Sequence, residues 1–203
     1  MGFYPFNTNR ARRAQTDVHG VTTLMGAGVM YTPGSPVLDD ADWYVASVDM
    51  KVGAYTLAKT APDVGARNVT VTQTAVGTED TNGTIVVVGK DLAGNTITET
   101  LTPNAGETVA GTKAFAEITS ITGAGWAVDA SEGTKDKITV GFGALIGLPD
   151  KLSDTAQVLA ASLNNVKEAN APTVTVSASA LELNTVDLSS ALNGSPVKIY
   201  YVV

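Results

Sequence analysis

The chain of 203 residues contains no cysteine and a single histidine. The missing thiols exclude disulfide staples, thiolate nucleophiles and Cys-ligated zinc. A Ser-His-Asp arrangement would need a hydroxyl in a context such as G-x-S-x-G, which does not occur here, so His19 reads as a loop residue. No apolar run approaches the roughly 20 residues that a membrane-spanning helix needs. The opening "MGFYPFNTNRARRAQ" has its arginines after the apolar residues, the reverse of a secretion signal, and Phe6 stands where a myristoylation site needs Ser or Thr. Charge is scarce too. Only 16% of residues are charged, and the formal balance is −7. An acidic chain lacks the concentrated positive surface that nucleic acid requires, so neither direct nucleic-acid binding nor a membrane is expected.

Hydrophobic residues make up 44% of the chain, enough for a folded core. They alternate with polar ones. In "NVTVTQTAV" Val69, Val71, Gln73 and Ala75 share one face and three threonines the other. "TIVVVG" is apolar on both faces, as in a central strand covered on both sides. "NTITETLT" aligns Ile97, Glu99 and Leu101, and "KITVGFG" aligns Ile138, Val140 and Phe142. "TVTVSASALEL" and "PVKIYYVV" repeat the pattern near the end. Threonine suits these strands because its branched Cβ favours extended backbone. The expected fold is mainly β, an antiparallel β-sandwich or barrel with an irregular N-terminal arm and at most one short helix.

Gly and Pro divide the chain into three regions. Residues 1–65 form an arm and irregular region in which "GAGVMYTPGSP" reads as a loop and "DWYVASVDM" as a strand. Residues 66–148 form the β-rich core, and 149–203 a C-terminal β region packed on it. The stretch "LPDKLSDTAQVLAASLNNVKEAN" is a helix candidate, with Leu152, Leu159, Leu163 and Val166 near helical spacing. Its part "QVLAASLNN" also fits a strand ending in an Asn turn, and the spacing does not decide between them.

Few motifs suggest chemistry. "DLAGN", residues 91–95, offers only Asp91 and Asn95 as oxygen ligands, whereas Gly94 supplies positive φ and apolar runs flank it, so it reads as a hairpin tip. "GTIVVVGKD" fails as a phosphate loop in spacing, and Asp91 stands where Ser or Thr must hold magnesium. The acid pairs Asp39–Asp40 and Glu79–Asp80 lie among Gly, Thr and Pro and read as solvated loops. No catalytic residue, cofactor or metal site is expected, and the chain is not read as an enzyme. The glycosylation patterns at Asn68 and Asn82 carry no meaning without a secretion signal.

Two features suggest contacts. Glu99 lies between two apolar residues, where it either sits at a sheet edge or pairs with a Lys or Thr partner, or else sets register against another subunit. Arg10, Arg12 and Arg13 reverse the acidic background, and Phe3, Tyr4 and Phe6 precede them, as in an arm that anchors to an acidic partner.

The segments "ARNVTVTQTA", "GTIVVVGKDLAGNTITETLT", "VAGTKAFAEITSIT", "GLPDKL" and "NTVDLSSALNGSPVKIYYVV" resemble, in sequence and order, structural proteins of tailed-bacteriophage particles, over roughly residues 66–203. The resemblance implies a place on the virion, with the protein made in the host cytoplasm. A capsid decoration (cement) protein fits best, bound to the major capsid protein and to copies of itself as a homo-oligomer. A tail-tube or neck protein is the runner-up. From another class, a carbohydrate-binding β-sandwich would need an exposed aromatic platform such as Trp126, or two converging carboxylates.

Overall fold

A computed structural model describes residues 28–104 and 106–203. The arm residues Phe3, Tyr4, Phe6, Arg10, Arg12 and Arg13, with His19, lie outside the described residues. The fold is mainly β and all its pairings are antiparallel.

Three sheets build it. The first joins β1 (Gly28–Gly34), β14 (Val197–Val202), β10 (Val158–Leu163) and β11 (Val166–Lys167) in that order. The second runs β12 (Thr173–Thr175), β13 (Thr185–Asp187), β9 (Lys137–Gly147), β4 (Arg67–Thr74) and β7 (Thr108–Phe115), with β2 (Asp40–Asp49) also paired to β9. The third runs β3 (Gly53–Ala54), β8 (Glu117–Ala124), β5 (Thr84–Lys90) and β6 (Thr96–Leu101).

Two hydrophobic clusters lie between these sheets. The first takes Tyr44, Val69, Val71, Val87, Ile118, Ile121, Ile138, Val140 and Phe142 from the second and third sheets. The second takes Ile146, Leu148, Leu152, Leu163, Val186, Val197, Ile199 and Tyr201 from beneath the first sheet. β9 serves both, because its eleven residues carry Ile138, Val140 and Phe142 into one cluster and Ile146 into the other. The region 1–65 is accordingly divided: β1 joins the C-terminal strands, and β2 joins the central ones.

Several local expectations change. "GVMYTPG" is strand β1, not a loop, because its backbone pairs with β14 from Gly28↔Val202 to Gly34↔Val197 despite the Gly and Pro punctuation. The helix candidate is a strand. After a single 3₁₀ turn, Thr155–Gln157, capped by Asp154, the chain extends as β10 and reverses at Asn164 and Asn165, whose φ of 53° and 61° form the turn to β11. A register slip between Val158 and Ala160 breaks the alternation there and leaves the leucines at helix-like spacing. Strand β5 is central in pairing but covered on one side only, since Ile85 and Val87 are buried while Val86 and Val88 are half-buried.

Candidate functional site

Glu99 sits on β6, at the edge of the third sheet, and reaches the edge strand of the second. Its Oε1 accepts hydrogen bonds from the backbone N–H of Thr112 at 2.7 Å and from Thr112 Oγ1 at 3.1 Å. Local backbone geometry explains why these donors are available. β7 pairs Ala114 with Asn68 and Ala110 with Thr70, so Gly111, Thr112 and Lys113 bulge away from β4. The carboxylate fills the space a Cβ at Gly111 would need. From the other side, Asn68 Nδ2 donates to the Gly111 carbonyl at 3.0 Å, and Asn68 Oδ1 accepts from Leu145 N–H at 3.0 Å. Glu99 therefore stitches two sheets of one chain, and Asn68 is buried in the same network, out of reach of a glycan.

The buried acids Asp80, Asp91 and Asp136 are likewise taken up by backbone donors. Asp136 accepts from Gln73 Nε2 at 2.6 Å, Val76 N–H at 2.8 Å and Asp80 N–H at 3.1 Å. Asp80 returns the favour by accepting from Asp136 N–H at 2.7 Å and Asp129 N–H at 2.6 Å. Asp80 is thus buried, a correction to the solvated loop expected for Glu79–Asp80. Its partner Asp136, 56 residues away, carries no local sequence signal. Asp91 accepts from Ala93 N–H at 2.9 Å and Asn95 N–H at 2.8 Å, and Gly94 has φ 82°, which makes residues 91–95 the tip of the β5–β6 hairpin. Among the described residues no three His, Cys, Asp or Glu side chains gather as a metal site.

Arg67 was not singled out in the sequence. It is fully buried at the junction of the two clusters, paired with Asp63 at 2.9 Å, donating to the Gly143 carbonyl at 2.9 Å and lying 4.5 Å from the centre of the Phe142 ring. The four-residue spacing of Asp63 and Arg67 is the one local signal of this pair. Burial also pushes the Tyr44 hydroxyl well above its ordinary value, against the pull of Arg67.

The tryptophans do not form a platform. Trp43 and Trp126 are half-buried and pack on the first cluster, and Lys59 lies 3.0 Å from the centre of the Trp43 ring. A surface depression of 330 Å³ beside Val45, Asp49, Tyr55 and Lys137 holds one carboxylate, already paired with Lys137.

The remaining feature is a surface. The first sheet packs its inner face on the second cluster, and among the described residues nothing covers its outer face. Met30 and Tyr200 lie opposite each other there, 57% and 37% exposed, and the register slip in β10 leaves Leu159 63% exposed. Beside them Lys198 pairs with Ser162, and Ser162 with Lys167, so the face turns from apolar to basic across the sheet. No protein-family model, curated protein or solved structure matches the chain.

Proposed function

We propose that this chain is a structural protein of a tailed-bacteriophage particle, a decoration protein that binds the outer surface of the head through its N-terminal arm. The observation that carries this reading is the separation of charge between arm and body. Residues 1–27 hold three arginines and one aspartate, a formal +2, which leaves −9 on the rest of a chain whose total is −7. An arm of opposite sign to its own body suits an acidic partner surface that the body alone would avoid.

The chemistry of the body supports the same reading. Its buried acids Asp80, Asp91 and Asp136 each accept backbone N–H groups, an arrangement that rigidifies loops. The first described strand, β1, lies at the edge of the first sheet, so the described fold begins at that edge. On the arm, Phe3, Tyr4 and Phe6 can fill apolar pockets, and Arg10, Arg12 and Arg13 can make bidentate pairs with carboxylates. Repetition of the capsid surface multiplies a weak arm contact.

Deleting residues 1–15 should leave a folded β body that no longer binds heads lacking the protein. Replacing only the three arginines should give partial binding that is lost sooner as salt rises. A truncated body that decorates heads at full occupancy would contradict the arm-anchor reading, and full-length protein found on tails alone would favour the tail-tube or neck reading.

A further inference from the structure

We propose that β1 is a self-association edge: two copies of this chain pair their β1 strands antiparallel about a twofold axis near Met30, joining two four-stranded sheets into one. The contact forms between free copies, so it stands or falls separately from head binding.

An open sheet edge is a template for another strand, and proteins blunt such edges with charge, brevity, bulges or cover. Almost every described edge here is blunted. β6 and β7 face each other and are bridged by Glu99. β2 carries Asp40, Asp42 and Asp49 and slips register twice against β9. β3 and β11 have two residues each, and β12 has three. β1 differs. Its seven residues, GVMYTPG, contain no charged side chain, and among the described residues nothing pairs with its outer edge.

A second copy fits this edge for three reasons. First, an antiparallel strand is self-complementary about a twofold axis, so the partner is always present at matching concentration. Second, β1 is uncharged, so self-pairing sets no like charges opposite each other even though each body carries −9. Third, a register centred on Met30 pairs Gly28 with Thr32 and Val29 with Tyr31 and stops before Pro33, which has no N–H to donate. That register places the two Met30 side chains together and runs the apolar strip of Met30 and Tyr200 across the joint. One strand and one strip bury less than the roughly 1,200 Å² of a stable dimer, so the free contact is weak and gains strength only where copies are held side by side.

The absence of cysteine allows a clean test on the full chain. A Met30→Cys chain should form a disulfide-linked dimer about tenfold faster than a Val52→Cys chain, because directly opposed strand residues lie within disulfide reach. Val52 is 65% exposed but lies in the loop between β2 and β3, outside the first sheet. Sedimentation of the wild type should show reversible, concentration-dependent dimers, and Met30→Lys should abolish them while the melting temperature holds. Equal cross-linking at the two positions, or a wild type that stays monomeric at every concentration, would overturn the proposal. If such a monomer also protects the amides of residues 28–34 from exchange, the edge is covered by the chain's own N-terminal segment.

Discussion

The two hydrophobic clusters are built from the same kinds of residue but are closed differently. Around Phe142 the second and third sheets face each other, Glu99 bridges their edges, and the Asp80–Asp136 pair ties the loops at the far end. Around Ile199 the described residues cover only the inner face of the first sheet, and polar side chains do much of the joining: Asn184 Oδ1 accepts from Leu152 and Ser177 N–H, both at 2.9 Å, and Tyr201 Oη donates to Asp150 Oδ2 at 2.6 Å. A cluster enclosed on both sides is a scaffold. One that leaves a face and an edge open is where a contact can be made without dismantling the fold.

The largest expected effect tests whether the two are separate in stability. Phe142→Ala, which empties a site packed by Trp43, Tyr44 and Arg67, should cost about 4 kcal/mol. Ile199→Ala should cost about 3 kcal/mol in the other cluster. Because β9 runs through both, denaturant unfolding of either variant should remain a single transition; two separated transitions would show that the clusters unfold independently.

A smaller effect is expected at the stitch. Glu99→Ala should cost about 1 kcal/mol, since the exposed Thr112 donors it releases can turn to water, and should leave self-association unchanged. Sedimentation combined with thermal unfolding checks both, and a loss of self-association greater than the loss of stability would move Glu99 to a subunit contact.

The smallest effect is one of pH and belongs to the cluster around Ile199. Burial works to raise the Glu168 carboxyl, but hydrogen bonds from Ser189 Oγ and Ser190 N–H outweigh it and hold it below the ordinary carboxylate range. A group depressed on folding stabilises above its unfolded value, about 4.3, and that share is lost as pH falls through the folded value. The melting temperature of the wild type should therefore fall more steeply below about pH 4.3 than that of Glu168→Gln. Identical acid limbs would remove Glu168 from the explanation.

The strands were readable where alternation was uninterrupted. Val69, Val71 and Gln73, and Ile138, Val140 and Phe142, are all fully buried on the faces their spacing indicated. Reading failed where a bulge or a long-range partner intervened. β10 resembled a helix because the slip at Leu159 disturbs period two, and β1 was hidden by Gly28, Pro33 and Gly34. Arg67 and Asp80 look like surface residues in sequence, because groups that allow their burial come from distant segments such as Gly143 and Asp136. The open face of the first sheet was not legible either, since period two shows that a strand has two faces but not which sheet goes uncovered.

Hydrogen exchange on the protein free and bound to heads addresses the division into scaffold and contact most directly. Binding should add protection in residues 1–27 and in β1 and β14, and should leave β5, β6 and β8 as they are in the free protein. New protection concentrated on β5, β6 and β8, with β1 and the arm unchanged, would place the contact on the enclosed half and contradict the division.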